Sequence, residues 1–378
     1  MFKHRNPIFF LFLFCFLSIP LLSQVITIDS HIDIPFDYME NPQHDPGKIT
    51  DMQVDLNKMK KGGLDSGFFV VYVPQGPLDK AGFKKAKILA EKKFLAISKM
   101  TKTYSNKIGL ALAPEDIIQL KNNNLLSAAI GIENGYVIGE DLSLLDHYYS
   151  LGARYMTLTH IGHNQIADSS IPSKRLNDEE ELHAGISAFG KKVIKRMNKL
   201  GMMIDISHIS DKASLEAIKL SSAPVIASHS CVKSIADHPR NISDELLFAL
   251  KENEGVIQIT AFANYVKVNN DRFNSIISLG NKVAKLYGDK SFNPSLHSNK
   301  IEYLEGIENI NMEFPMPDID DFVDHIDYVV DLIGVDYVGI SSDFGGGGGI
   351  SGWIDASETK LLTRKLKERG YSPKEIEK

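Results

Sequence analysis

The stretch MMIDISHISDKASLEAIKLSSAPVIASHS, Met202–Ser230, holds the fold in miniature. It opens with a short apolar run, Met202–His208, crosses a segment of helical period at Ala213–Leu220, and returns as a second apolar run, Pro224–His229. Runs of this length ended by a polar residue read as buried strands, and a helix between two of them brings the chain back to a parallel neighbour. Both runs end in histidine. Working outward, the same pattern recurs at Val25–Asp33, Gly67–Pro74, Leu125–Asn134 and Tyr155–Ile161 before this unit, and at Gly255–Phe262 and Tyr337–Asp343 after it. Helical period fills most of the gaps, as at Leu142–Leu151, Ala188–Leu200, Asp244–Lys251 and Phe322–Ile333. Eight alternations of strand and helix predict an α/β fold, a closed (β/α)8 TIM barrel. The lysine-rich stretch Lys80–Lys99 is expected to be a long helix whose charges form a solvated outer face. Lys267–Pro317 reads as an irregular insertion after strand seven.

Composition agrees with one large domain: 378 residues, 43% hydrophobic and 24% charged, with no repeat and no Pro/Ser-rich linker at which to divide it. A net charge of −6 with both signs interspersed lacks the basic stripe that a phosphate backbone needs, so no nucleic-acid partner is expected. Lys3, His4 and Arg5 precede an apolar run, Ile8–Leu22, followed by Ser23. That pattern predicts a signal peptide over residues 1–23, an exported (periplasmic or secreted) mature domain over 24–378, and no transmembrane span in it. The run is shorter than the ~20 residues that cross a bilayer and contains Pro20. Cys15 follows Phe14, unlike a lipoprotein cleavage site, and Cys231 alone would remain, so no internal disulfide can form.

Six of the eight strands end in a residue that can bind a metal or move a proton. The first ends with His31 and Asp33, which period-two alternation points to one side. Glu133 ends the third, His160 the fourth, His208 the fifth, His229 the sixth and Asp343 the eighth. Taken singly, a histidine after an apolar strand is more often a hydrogen-bonded core residue, and Asp343 or Glu133 could simply start a turn. Jointly, they require several charges at one barrel rim, where barrel enzymes keep their chemistry and where uncompensated charge is costly. Three His, one Asp and one Glu are too many for one open catalytic zinc and suit two ions, with Glu133 bridging them and a water of lowered pKa between them. Ligand type leaves manganese and cobalt open beside zinc.

These residues carry a resemblance to the membrane (renal-type) dipeptidases, within the metal-dependent amidohydrolase group, that runs nearly end to end. It rests on Asp29-Ser30-His31-Ile32-Asp33 with Pro35, Val54-Asp55-Leu56, Gly62-Gly63 and Val71-Tyr72-Val73-Pro74. It continues through Gly131-Ile132-Glu133, Arg154 to His160, Asp205 to Ser210, Pro224 to Ser230, Arg240-Asn241 and Val338 to Phe344. The resemblance implies a zinc dipeptidase acting through a hydroxide bridged by two metals. By it, His31, Asp33 and Glu133 hold one zinc, and Glu133, His208 and His229 the other. It also places His160 at the scissile carbonyl, Arg240 on the substrate carboxylate and Asp343 on the proton. Dipeptides are the implied substrates; a homodimer is left open. Phe262 and Tyr265 are read as pocket-lining or core.

Two departures stand out. Gly345–Gly349 replaces the acidic residue usual after Asp343-Phe344, which predicts a more flexible loop. The chain stops at Lys378 inside a charged helix, short of the closing segment of relatives, so a C-terminal truncation is expected. A barrel acting on other amides or on phosphoesters would show His-x-His on strand one and a bridging lysine, and a non-catalytic exported barrel would have lost a ligand or Asp343. Neither pattern is present.

Overall fold

The computed structural model describes residues 25–292 and 297–378. The proposed leader, Cys15 included, lies outside them. Nine strands form one sheet: β1 (Ile28–Asp33), β2 (Ser66–Tyr72), β3 (Ile108–Leu110), β4 (Leu126–Glu133), β5 (Ala153–Thr157), β6 (Met203–Asp205), β7 (Ile226–Ser230), β8 (Val256–Thr260) and β9 (Val338–Ser341). Every pairing is parallel, in the order β1-β2-β4-β5-β6-β7-β8-β9, and β3 pairs only with β4 outside that path. The ends meet where Asp33 N–H donates to Phe344 O (2.8 Å) and Asp343 N–H donates to His31 O (3.1 Å). Eight parallel strands with helices between them thus form the expected barrel.

The opening unit shows why. Ser210 caps the helix Asp211–Leu220 by accepting from Ala213 N–H at 3.2 Å, a contact of the kind that contributes about 1 kcal/mol. Ala213, Ser214, Ala217 and Ile218 are buried at helical spacing, and that face packs the helix onto the sheet. The main core lies between helices and strands, while Val70, Tyr155 and Ile226, with Phe68 and Tyr72, form a separate cluster along the strands' other faces. Tyr155 fits there because Gly131 opposite has no side chain: a Cβ at 131 would lie 2.1 Å from the Tyr155 ring.

Three expectations are corrected. The strands at Met202–His208 and Tyr155–Ile161 stop earlier, at Asp205 and Thr157. Asp205 itself turns the chain, accepting from Ser207 N–H at 3.0 Å, and His208 then takes a left-handed φ of 69°. The segment Lys267–Pro317 is not irregular. It contains two packed helices, Asn270–Leu286 and Ile301–Glu313, joined by Arg272 Nη2 donating to Asn311 at 2.9 Å and by stacked Phe292 and Tyr303. The inner face of the first helix is Gly280, Val283 and Ala284, too small to produce a strong apolar stripe. The lysine-rich helix runs over Lys80–Thr103, and one of its lysines, Lys93, is buried rather than solvated. Among the described residues no helix is long and apolar enough to cross a membrane.

Candidate metal centre and active site

The structure brings His31, Asp33, Glu133, His160, His208, His229 and Asp343 together at the C-terminal rim of the barrel. Glu133 is the hub. Its Oε2 lies 3.5 Å from His31 Nε2, and its Oε1 lies 3.1 Å from His208 Nε2 and 3.5 Å from both His229 Nε2 and His160 Nε2. His31 Nε2 is also 3.5 Å from Asp33 Oδ2, as the alternation along β1 requires. Three overlapping triads have donor atoms within 4.8 Å of one another: His31, Glu133 and His229; Glu133, His160 and His208; His31, Asp33 and Asp343. One carboxylate whose two oxygens face different imidazoles can serve two cations at once.

The hydrogen bonds behind the rim aim these groups. Tyr155 donates its hydroxyl to Ser30 O (3.1 Å), so its own oxygen accepts from His31 Nδ1–H (3.0 Å) and Nε2 faces the pocket. Ser228 Oγ donates to Asp205 Oδ2 (2.6 Å) and accepts from His229 Nδ1–H (2.8 Å), which orients His229 likewise. Asp205 is fully buried and also accepts from the Thr157 hydroxyl and from Ser228 N–H (2.9 Å). Four donors thus hold its charge and its position. Neither Tyr155 nor Asp205 stands out in the sequence as a site residue. The signal for Asp205 is a carboxylate ending an apolar strand two residues before a serine, which the neighbouring histidine overshadows.

Burial holds the His208 and His229 pKa values well below the ordinary histidine range and lowers that of His160, so these rings are neutral and ready to donate a lone pair. At His31 burial acts the same way, but the negative charges of Glu133 and Asp33 outweigh it and raise the pKa well above the usual value. A proton held there occupies the place a cation would take. Glu133 is pushed up by burial, yet His160 and His31 bring it well below the carboxylate norm. Asp343 goes the other way: burial, helped by Asp33 and Glu133, raises it well above 3.8. His31 Nε2 and Asp33 Oδ1 are buried without a hydrogen-bond partner among the described residues. Buried nitrogen and oxygen atoms left without a hydrogen-bond partner in one cradle fit a metal.

Arg240 is 2% exposed and rises from the loop after β7. Its Nη2 donates to His229 O at 2.8 Å and its Nη1 to Ser230 Oγ at 3.4 Å, while Nε–H has no partner among the described residues. Tyr265 lies under it at 5.3 Å and stacks on Phe262 at 4.2 Å, so both aromatics belong to this wall.

The glycine loop is tethered rather than free. Gly345 N–H donates to Gln53 Oε1 (2.9 Å), Gln53 Nε2 donates to Gly348 O (2.8 Å), and Gly349 N–H donates to Ala261 O (2.8 Å). A Cβ at Gly346 would lie 2.4 Å from both Asp33 Oδ2 and Asp343 Oδ1. The loop therefore passes directly over the two carboxylates, where only glycine fits.

A family model described as membrane dipeptidase (peptidase family M19) matches residues 18–378. The chain belongs to the membrane dipeptidase family. It is 28% identical over 348 residues to dipeptidase tcpJ of Claviceps purpurea, covering 91% of this chain and 70% of that protein. It is 27% identical to dipeptidase 3 of Mus musculus over 95% of this chain and 63% of that one. The crystal structure of the probable dipeptidase PvdM from Pseudomonas aeruginosa matches with a TM-score of 0.81 at 31% identity, over 94% of this chain and 92% of the other. This membrane dipeptidase family member is thus a peptide-bond hydrolase of a metal-dependent family.

Proposed function

We propose that this chain is a zinc-dependent dipeptidase that binds two ions, one among His31, Asp33 and Glu133 and one among Glu133, His208 and His229. The observation that carries the reading is Glu133, whose two oxygens face separate imidazole sets 3.1–3.5 Å away. Bound there, the ions would lower the pKa of a water and polarise the peptide carbonyl.

The chain's own residues do the rest. Arg240, with its Nε–H and further N–H groups free, grips the terminal carboxylate of the substrate through a planar fork, which favours dipeptides over internal bonds. His160, beside Glu133, donates to the carbonyl oxygen as negative charge develops on it. Asp343, whose burial favours its protonated form, holds the proton taken from water and passes it to the departing amine. Its left-handed φ of 56° fixes the carboxylate over β1. Residues 1–23 would direct export of the domain.

The test is release of amino acids from a panel of L-L and L-D dipeptides, with and without chelator, by the native chain and by Asp343→Asn. Zinc-dependent release that falls about 10²–10⁴-fold in the variant is expected. Two bound metals with no dipeptide cleaved would refute the reaction.

A further inference from the structure

Lys93 sits on the helix after β2, two per cent exposed. Its ammonium lies 4.7 Å from the ring centre of Phe36 and 5.5 Å from that of Tyr72. It makes no hydrogen bond or ion pair with any described residue. A lysine is rarely buried without a partner, because removing an ammonium from water is costly. Asp33 and Glu133 are the carboxylates that act on it, both from beyond ion-pair distance, and both are committed to the metal centre.

The geometry has a direction. Tyr72 ends β2, and its ring centre lies 4.8 Å from that of the His160 imidazole and 5.5 Å from the Lys93 ammonium. Phe36, three residues past Asp33, is 37% exposed and forms the outer wall. The Tyr72 hydroxyl makes no hydrogen bond with a described residue, and burial raises its pKa, so it stays a donor. Lys93 and Tyr72 thus present unsatisfied donors between two aromatic walls, next to the reaction centre. In the barrel order β2 is second and β7 sixth of eight, so this niche faces Arg240 across the mouth. A dipeptide whose terminal carboxylate lies on Arg240 extends its N-terminal residue toward Lys93.

We infer that the niche of Phe36, Tyr72 and Lys93 is a specificity pocket for an acidic side chain on the N-terminal residue of the substrate. Its rings cover the methylenes and its ammonium meets the carboxylate. This rests on the dipeptidase reading and narrows its substrate class.

The experiment compares L-Glu-L-Ala, L-Gln-L-Ala and L-Ala-L-Ala on the zinc-loaded native chain, Lys93→Met and Lys93→Arg. Glu and Gln differ little in shape, so their ratio isolates the charge. Native kcat/KM for Glu-Ala should exceed that for Gln-Ala by about ten- to a hundredfold, mainly through KM, the range of one hydrogen bond between charged groups. Lys93→Met should bring the ratio to about one, and Lys93→Arg should restore most of it. Methionine fills the buried space of the lysine stem, so the variant folds, and a melting profile checks it. A native ratio near or below one, or a ratio that survives Lys93→Met, overturns the pocket while leaving the dipeptidase intact. Failure to cleave any of the three by the loaded native chain removes the dipeptidase reading and the pocket with it.

Discussion

Arg240→Met is expected to abolish the distinction between a dipeptide and its C-terminal amide. Arginine carries five N–H donors, and two are spent inside the protein, on His229 O and Ser230 Oγ. Three remain, including the buried Nε–H, which has no partner among the described residues. Two of these on a carboxylate, at about 1.5–3 kcal/mol each, contribute about 3–6 kcal/mol, or roughly 10²–10⁴ in kcat/KM. An amide offers the fork one neutral oxygen and loses most of that. The assay is kcat/KM for one dipeptide and its amide, on the native chain and the variant. Native enzyme should prefer the acid by the stated factor, and the variant should bring the ratio toward unity. Because the variant also takes a donor from His229 O, both substrates will slow somewhat; the ratio is insensitive to that shared loss. A native chain that cleaves the amide as fast as the acid, or a preference that persists without Arg240, would refute the assignment.

Asp205→Asn replaces two acceptor oxygens by one and weakens the Ser228 link that orients His229. Metal affinity should fall about 10–100-fold, read by competition with a chromogenic chelator, and an unchanged affinity would deny Asp205 that role. Because His31 holds a proton where a cation would bind, loading the metal-free protein near neutral pH should release protons, measurable by calorimetry in buffers of different ionisation heat. With the pKa of His31 raised, affinity should climb with pH up to that pKa and flatten above it. Metal uptake without proton release would mean that Nε2 of His31 is already free.

The sequence made the barrel and its rim legible for one reason. Parallel strands buried on both faces are continuous apolar runs, and a charged residue at the end of such a run is conspicuous. It did not show where the runs at Thr157 and Asp205 end, because the Asp205 side chain captures Ser207 N–H before the apolar pattern stops. Lys93 was hidden by its neighbours: the helix has so many exposed lysines that one more looks solvated. Its place was readable nonetheless, since Ala86, Ala90, Lys93, Phe94, Ile97 and Met100 fall on one helical stripe. Tyr155 reads as a strand aromatic, and only the space left by Gly131 reveals why it lies flat enough to reach His31.

The seam between β1 and β9 also bears on how the protein is made. His31 and Asp33 leave the ribosome more than 300 residues before Asp343. The half of the constellation on the first strand has nothing to close against until the last strand arrives and accepts its backbone bonds. A nascent chain that has not yet reached β9 therefore lacks the closed rim, and the proposed constellation is complete only once that strand has emerged.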